Sequence, residues 1–295
     1  MRKKNILVVG GKSYIAQEFI KKNHNYFNIH PVSRNKLNFN NAINIDDYFK
    51  LSESNFKNID VVINFTAIVH QPKLKDEILY DLINYQLPVF LANMAQKSGC
   101  SQFIQISTIA VYGDVEFIDK KTICRPVNHY GKYKLKADHA LRSMANKQFS
   151  VVCLRPSMVY GTKNAPGNMN QLIRVVKTKL PLPFNGIDNQ RQFLNINNLT
   201  QAIRGIIVKG LDGIIVLADE ESNSLTSLIQ IISEELGLKN RNFKSVLFWK
   251  FLRIFKPVIV NKLTNNLIIE NSHSFKELGV EYPVSVQQGI SEMVN

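Results

Sequence analysis

Apolar runs alternate with amphipathic stretches over residues 5–120, and this alternation restricts the possible folds more than any other feature. The apolar runs are rich in Val and Ile and predict buried strands at residues 6–9, 28–32, 61–65, 103–107 and 151–155. The stretches between them, such as residues 13–22 and 80–98, carry apolar residues at helical spacing and predict crossover helices. Repeated strand–helix–strand units place their strands side by side in parallel. We therefore predict an α/β fold built on a doubly wound parallel sheet.

The alternation of apolar and amphipathic stretches becomes irregular after Gly161. A loop is predicted from Asn164, and a Pro-containing extended segment follows at residues 180–184. A strand-like run at residues 191–196, a helix from about Leu199 and a strand at residues 213–217 come next, and we expect them to return to the main sheet. A chain of 295 residues is long enough for one large domain and a smaller lobe. The predicted boundaries are 1–163 with 190–218 for the main domain, and 164–189 with 219–295 for the lobe.

The net charge and the hydropathy of the chain limit the binding partners and the cellular location that we expect. A formal net charge of +14 favours an anionic partner: a nucleic acid, an acidic lipid or a phosphorylated small molecule. No nucleic-acid-binding motif or aromatic-basic stacking pattern is present in the sequence, so we expect no nucleic acid partner. No apolar run is long enough to cross a bilayer, and the N-terminal run lacks a small-residue cleavage site. We therefore predict a cytoplasmic protein.

The cysteines carry no recognisable chemistry. Cys100, Cys124 and Cys153 are an odd number, without the spacing of a zinc site or of a disulfide framework. We expect reduced thiols and no bound metal.

A glycine-containing turn follows the first predicted strand. A turn from a strand into a helix can present backbone N–H groups and the positive helix N-terminus to a pyrophosphate. The Gly-x-x-Gly-x-x-Gly pattern is degraded because Ser13 and Ala16 replace the second and third glycines, but both are small enough for close approach. The alternative is a strand-to-helix turn without a ligand. The predicted dinucleotide contacts are Gly10, Lys12, Ser13, Tyr14 and Ile15.

The second predicted strand ends near Arg34 without a carboxylate. NAD-specific enzymes commonly place an acidic residue there, on the adenosine ribose hydroxyls. Arg34 and Lys12 would instead meet a 2′-phosphate, so the sequence favours NADP(H), with NAD(H) as the alternative. The competing interpretation of the two side chains is a pair of solvated surface cations.

Tyr130 and Lys134 are four residues apart, which places both on one face of a helix. An ammonium group near a phenol stabilises the phenolate and lowers its pKa, so that the tyrosine can exchange a proton with a hydroxyl or carbonyl group. The strand at residues 103–107 ends in the hydroxyls of Ser107 and Thr108, at the edge of the sheet where ligands bind. Thr108 would donate to the same substrate oxygen as Tyr130.

These motifs together resemble those of the extended short-chain dehydrogenase/reductases, which include the nucleotide-sugar epimerases, dehydratases and reductases. The resemblance covers nearly the whole chain and implies a Rossmann-type sheet with a smaller C-terminal substrate lobe. The matching segments follow one another in order: residues 9–16, 65–67, 84, 107–108, 112–113, 130–135, 155–156, 159–161, 191–196 and 279–290.

The resemblance also implies roles for individual residues. Thr108, Tyr130 and Lys134 would be catalytic. Asn168, Phe184 and Arg191 would contact the substrate, with Arg191 on the diphosphate of a sugar nucleotide. The residues beside the cofactor would be Phe65, Thr66, Ala67, Asn84, Ser107, Tyr130 and Lys134.

Departures from the family pattern narrow the expected reaction. The 4,6-dehydratases carry an Asp-Glu pair directly after the catalytic Thr, whereas Ile109 and Ala110 stand here, so dehydration is disfavoured. Met158 occupies a position where many epimerases have an Asn on the substrate diphosphate. Residues 167–191 resemble a subgroup of reductases that act on UDP-4-keto-6-deoxy-N-acetylhexosamines.

From the resemblance we expect NAD(P)H-dependent reduction of the C4 ketone of such a UDP-sugar. The product would be UDP-N-acetylfucosamine or UDP-N-acetylquinovosamine, for capsule or surface polysaccharide synthesis. A UDP-sugar 4-epimerase is the alternative, because it uses the same Tyr and Lys. A non-catalytic dinucleotide-binding regulator is the second alternative, and the intact Thr108, Tyr130 and Lys134 argue against it. The sequence leaves the oligomeric state undecided, and a homodimer is one of the alternatives.

A basic segment near the C-terminus stands apart from these motifs. Phe248, Trp249, Leu252 and Phe255 would share one face of a helix near residues 245–256, and a basic amphipathic helix can lie on an acidic membrane surface. The alternative is an apolar face packed inside the smaller lobe, with the cations in water. Residues 239–262 contain no carboxylate and seven cations, namely Lys239, Arg241, Lys244, Lys250, Arg253, Lys256 and Lys262.

Overall fold

A computed structural model describes residues 2–69, 76–163 and 165–295, without the side chains of Val258, Ile259 and Lys262. Asn164, at which we predicted the loop and the lobe boundary, lies outside the described residues, as does the Lys262 side chain. In the described parts of the chain, no helix is both long and apolar enough to cross a membrane.

The strands of these segments alternate with helices in chain order. The strands are β1 (Asn5–Val9), β2 (Asn28–Ser33), β3 (Ile43–Asn44), β4 (Val61–Asn64), β5 (Gln102–Ile106), β6 (Phe117–Ile118), β7 (Ser150–Pro156), β8 (Met158–Tyr160), β9 (Arg191–Asn195), β10 (Gly213–Leu217), β11 (Ser222–Asn223) and β12 (Ile268–Ile269). The helices are α1 (Tyr14–Asn23), α2 (Glu53–Phe56), α3 (Glu77–Asp81), α4 (Leu87–Lys97), α5 (His129–Arg142), α6 (Asn168–Lys177), α7 (Ile196–Lys209), α8 (Leu225–Glu235), α9 (Val246–Phe255), α10 (Pro257–Thr264) and α11 (Val286–Val294).

The main sheet has the order β10-β7-β5-β4-β1-β2-β3, and all its neighbouring strands are parallel. The chain builds outward from β1 through β2 and β3, then returns to the other side of β1 at β4 and continues through β5, β7 and β10. The order therefore reverses between β1 and β4, and ligands of open α/β sheets bind in the crevice outside the carboxyl ends of the strands at such a reversal. The predicted α/β fold with a Rossmann-type parallel sheet is confirmed.

Both faces of the main sheet are buried, which explains why its strands are continuous apolar runs rather than alternating ones. Successive residues of a strand point to opposite faces. Ile6 and Val8 of β1 pack on one face with α1 and α7, while Leu7 and Val9 pack on the other with α4 and α5. The sheet is therefore the middle layer of three.

The C-terminal part of the chain builds a second core. Helices α6, α8 and α11 pack there around Ile173, Ile229 and Ile290, beside a small sheet of order β11-β9-β8. We expected residues 191–196 to return to the main sheet, and this expectation is wrong for the strand: β9 pairs with β8 and β11. The following helix and strand do return, since α7 covers the main sheet and β10 pairs with β7.

Candidate active site

The turn between β1 and α1 lies against the end of β4. Gly10 has a φ of +84°, and a Cβ at this position would lie 3.0 Å from the side chain and the backbone nitrogen of Thr66. A larger residue would be strained there and would push the turn away from β4. Ser13 caps α1 by accepting a hydrogen bond from the Ala16 amide (3.3 Å). The turn therefore holds a helix N-terminus, with its positive dipole end, at the carboxyl edge of the sheet.

The other predicted residues of this turn have different environments. Lys12 is exposed, whereas Tyr14 and Ile15 are half-buried. The Tyr14 hydroxyl accepts a hydrogen bond from the Thr162 hydroxyl (3.3 Å), and burial raises the pKa of Tyr14 to about 12. Ile15 packs against the core below α1. Lys12 is therefore the side chain of the turn whose charge is presented to solvent.

The segment after β4 is fixed by buried polar side chains. Asn64 accepts hydrogen bonds from the Thr66 hydroxyl (2.6 Å) and from the Thr66 amide (3.0 Å). The Asn64 amide group donates in turn to Gln105 on the neighbouring strand (2.9 Å). Phe65 and Thr66 are buried and Ala67 is exposed, so the chain leaves the sheet at Ala67. We did not predict Asn64 or Gln105, because nothing in the sequence separates them from other strand residues.

Asn84 holds the next part of the same segment. Its side-chain oxygen accepts from the Ile68 amide and its side-chain nitrogen donates to the Ile68 carbonyl, both at 2.9 Å. Asn84 lies in a π-helical turn, Leu82–Gln86, between α3 and α4. Pro88 has no N–H to donate back to the Asn84 carbonyl, which favours the wider turn. The buried Asn84 side chain thus fixes the backbone after β4, where we predicted cofactor contacts.

The end of β5 supplies the two predicted hydroxyl residues. Ser107 is buried, and its hydroxyl donates to Asp138 (2.9 Å). Thr108 is half-buried and starts a short 3-10 helix, Ile109–Tyr112, where its hydroxyl oxygen accepts from the Ala110 amide (3.1 Å). Because the oxygen already accepts there, the hydroxyl hydrogen is free to point elsewhere. It donates to Tyr130, and this hydrogen bond lowers the pKa of the phenol.

Helix α5 brings Tyr130 to Thr108 by a close backbone approach. A Cβ at Gly131 would lie only 2.6 Å from the Ala110 carbonyl oxygen and 3.0 Å from Pro126. A glycine is therefore required where the first turn of α5 touches the 3-10 helix. Asn128 caps α5 by accepting from the Gly131 amide (2.9 Å).

Lys134 is buried one turn further along α5. Its ammonium group donates to the carbonyl of Ile106 (2.9 Å), at the end of β5, and to the carbonyl of Thr66 (3.3 Å), after β4. Burial lowers the pKa of Lys134 to about 8, while the Asp138 carboxylate opposes this shift. The predicted catalytic residues Thr108, Tyr130 and Lys134 thus lie together at the carboxyl edge of the sheet.

The pKa of Tyr130 differs from our expectation. We expected Lys134 to lower it, but in the protein alone burial raises it to about 12, and Asp138 adds to this rise. The Thr108 hydrogen bond opposes the rise without reversing it. The Lys134 ammonium group donates to two backbone carbonyls instead. A further positive charge near the phenol would lower the pKa of Tyr130.

An ion pair that we did not predict lies close to Lys134 and Ser107. Asp138 accepts from Arg155 (2.9 Å), and both side chains are almost completely buried. Arg155 also donates to the Tyr112 hydroxyl (3.0 Å). The Ser107 hydroxyl donates to the same Asp138 carboxylate. Asp138 follows Lys134 by four residues on α5, so helical spacing alone could have shown that it faces the sheet.

Arg34 follows β2 and is exposed. Its guanidinium group lies 5.7 Å from the centre of the Tyr48 ring. Within the described segments, neither Arg34 nor Lys12 has a carboxylate within salt-bridge distance. Both charges therefore remain available to an anionic ligand.

The predicted substrate residues lie on elements of the second core and its small sheet. Arg191 begins β9, is half-buried, and donates to the Asn265 carbonyl (2.9 Å); burial lowers its pKa. Phe184 packs against the rings of Phe248 (6.1 Å between centres) and Trp249 (5.6 Å). Asn168 is exposed at the first turn of α6. Among the described residues, no hydrogen bond or ring contact joins these three side chains to Tyr130.

Comparison with known proteins decides the family. The profile of the NAD dependent epimerase/dehydratase family matches residues 6–218, a span that includes the β1–α1 turn, Thr108, Tyr130 and Lys134. The chain belongs to this family. The match ends with β10, so it covers the whole main sheet.

Several proteins similar to this chain are described as 4-epimerases. A UDP-glucose 4-epimerase of Vibrio cholerae is 28% identical over an alignment that covers 98% of this chain and 94% of the relative. An N-acetyl-α-D-glucosaminyl-diphospho-ditrans,octacis-undecaprenol 4-epimerase of Escherichia coli O157:H7 is 24% identical and covers 68% of this chain and 62% of the relative. The structure of a UDP-glucuronic acid 4-epimerase from Bacillus cereus in complex with NAD superimposes with a TM-score of 0.79 at 19% identity, covering 98% and 95% of the two chains.

The buried ion pair makes a prediction about stability. Asp138→Ala would leave the Arg155 guanidinium buried without its counter-charge, and we expect a loss of about 3–5 kcal/mol in the free energy of unfolding. The double variant Asp138→Leu with Arg155→Met replaces both charges by apolar groups and should lose clearly less than Asp138→Ala alone. Urea unfolding of the three proteins measures these differences. A double variant that loses as much stability as Asp138→Ala, or more, would contradict this assignment.

Proposed function

We propose that the protein is a UDP-sugar 4-epimerase that oxidises and re-reduces C4 of its substrate with a nicotinamide cofactor. The observation that carries the proposal is the cluster of Thr108, Tyr130 and Lys134 at the carboxyl edge of the sheet, beside the reversal of strand order. The 4-epimerases among the relatives support this reaction over the C4 reduction expected from the sequence.

The residues at the strand reversal fit a dinucleotide. Gly10 lets the turn lie against the end of β4, and the N-terminus of α1 behind Ser13 suits a pyrophosphate. Phe65, Thr66 and Ala67 would line the adjoining part of the site, and the buried Asn84 and Ser107 would support it from below. When bound, the nicotinamide would accept or return a hydride at its C4 atom and, in its oxidised form, add a positive charge to the site.

The side chains at this site would handle the proton that accompanies the hydride. Tyr130 would take the proton of the sugar 4-hydroxyl as the C4 ketone forms, and would return it when the ketone is reduced on its other face. The Thr108 hydroxyl, which donates to Tyr130 in the protein alone, would turn to donate to the same sugar oxygen. Lys134, fixed by two carbonyls, would keep α5 and therefore Tyr130 in place, and would offer its remaining N–H to the cofactor ribose.

One observation favours a second candidate, an NAD(P)H-dependent 4-reductase of UDP-4-keto-6-deoxy-N-acetylhexosamines. Residues 167–191 resemble such reductases, and Met158 stands where many epimerases have Asn. The product would enter capsule or surface polysaccharide synthesis in the cytoplasm. A non-catalytic regulator would need none of the three clustered side chains.

Two substrate assays separate these functions. Purified protein with NAD and UDP-glucose or UDP-N-acetylglucosamine should form the C4 epimer, detected chromatographically, with no net change in the amount of reduced cofactor. A 4-reductase would instead consume reduced cofactor in equal amount to an added UDP-4-keto-6-deoxy-N-acetylhexosamine. Turnover of neither substrate would favour the regulator.

Tyr130→Phe is the matched control for whichever assay gives turnover, because it removes one hydroxyl and keeps the ring. We expect kcat to fall by about 10²-fold or more, with cofactor binding retained. Near-wild-type turnover of the variant would remove Tyr130 from the reaction.

We propose that the exposed cations Arg34 and Lys12 allow the protein to use NADP(H) as well as NAD(H). Arg34→Ala should weaken binding of NADPH more than binding of NADH, by about tenfold if a charge-assisted hydrogen bond to a 2′-phosphate is lost. Fluorescence titration with each reduced cofactor measures the difference. Equal changes for both cofactors, or no change, would overturn the 2′-phosphate role.

We propose that Arg191 binds the diphosphate of the UDP-sugar. A guanidinium group can pair with two phosphate oxygens at once, which lysine cannot do. Arg191→Lys should raise KM for the UDP-sugar about tenfold or more, with a smaller change in kcat, because the pairing is equally strong in the ground and transition states. Steady-state kinetics at low salt, where phosphate contacts are least screened, provide the test. An unchanged KM would move the diphosphate site elsewhere in the second lobe.

A further inference from the structure

Helix α9 presents two apolar faces, and only one of them is covered by the protein. On the inner face, Trp249 donates its indole N–H to the Pro183 carbonyl (2.8 Å), and the rings of Phe248 and Trp249 both contact Phe184. Leu252 is half-buried on the same side. The alternative in which this face packs inside the lobe therefore holds for Phe248 and Trp249, whereas Phe255, which we had placed on the same face, is 62% exposed.

The outer face of α9 consists of Leu247, Phe251, Ile254 and Phe255, which are 80%, 63%, 75% and 62% exposed. Their spacing of i, i+4, i+7 and i+8 places them on one side of the helix. The rings of Phe251 and Phe255 lie 4.6 Å apart between their centres, so the apolar surface is continuous. Single exposed apolar residues are ordinary, but four large ones on one helix face mark an interaction surface.

The charges around the outer face are all positive. Lys250 and Arg253 are exposed on α9 itself, while Lys244 and Lys256 flank its two ends. In the described segments none of these four cations forms a salt bridge, and residues 239–262 contain no carboxylate. The surface thus combines large apolar side chains with uncompensated cations, which is the composition of helices that lie in the interface of an acidic membrane.

We propose that the outer face of α9 docks the protein on a membrane surface that carries anionic phospholipids. The apolar side chains enter the boundary between headgroups and acyl chains, and the cations contact lipid phosphates. The inner face anchors the helix to the second lobe, so the whole protein is held at the membrane. A second copy of this chain fits the face less well, because a symmetric dimer through it would bring Lys250 and Arg253 towards the same cations of the partner.

Vesicle sedimentation tests the proposal with the full chain. The protein should sediment with vesicles of phosphatidylcholine and phosphatidylglycerol, and much less with vesicles of phosphatidylcholine alone, since each cation near an anionic surface adds about fivefold to the partition coefficient. Raising the salt concentration should weaken the binding. Equal binding to both kinds of vesicle, or binding to neither, would overturn the proposal.

Two matched variants assign the binding to α9. Ile254→Glu places a charge on the outer face and should reduce binding to the anionic vesicles at least about tenfold. Ile78→Glu introduces the same charge at an isoleucine of α3 that is 80% exposed, and should change binding by less than about threefold. Equal losses in the two variants would mean a general charge effect and would overturn the role of α9.

Sedimentation velocity of the same variants tests whether the outer face of α9 instead contacts a second copy of this chain. Circular dichroism and thermal unfolding first establish that both variants are folded like the wild type. We expect Ile254→Glu to leave the oligomeric state unchanged. If it converts a dimer into monomers, the outer face belongs to a second copy of the chain, and the membrane proposal is wrong.

Discussion

The buried ammonium group of Lys134 joins three parts of the chain that are far apart in sequence. It comes from α5 and binds carbonyl oxygens that belong to Thr66, after β4, and to Ile106, at the end of β5. A lysine that donates to carbonyls of two separate segments fixes the helix that carries it against both. Tyr130 lies one turn earlier on α5. Its position follows from this contact and from Gly131, which lets α5 approach Ala110 closely.

Burying this ammonium group has an electrostatic cost, and the surrounding residues reduce it. Desolvation lowers the pKa of Lys134 to about 8, while the Asp138 carboxylate one turn further along favours its charged form. Asp138 is itself buried, and its charge is supported by Arg155 and by the Ser107 hydroxyl. Because an isolated buried charge would be too costly, Lys134 requires these further polar groups. The family resemblance predicted roles for Thr108, Tyr130 and Lys134, but only the packed structure shows Asp138 and Arg155 beside them.

The sequence predicted those features that depend on local pattern. The strands of the main sheet read as apolar runs because both faces are buried, and the carboxyl edge then brings Gly10, Thr66 and Thr108 together by topology alone. The pairing of β9 was not predictable in this way, because β9 resembles a main-sheet strand and its partners are distant short strands. The same holds for Asn64 and Gln105, whose contact depends on the register of β4 against β5. The two apolar faces of α9 could be distinguished only once Phe184 was placed against one of them.

Arg155 and Arg191 show how the fold gives one residue type two different roles. Both guanidinium groups are drawn out of water, and desolvation lowers the pKa of each. For Arg155 the adjacent Asp138 and Tyr112 outweigh this effect and raise the pKa, so that its charge is neutralised within the protein. Arg191 has the Asn265 carbonyl, which can satisfy an N–H group but cannot balance a positive charge. A partly buried cation without a counter-charge in the described residues is stabilised by an anion from solution, and this imbalance is the physical basis for our proposal that Arg191 binds the substrate diphosphate.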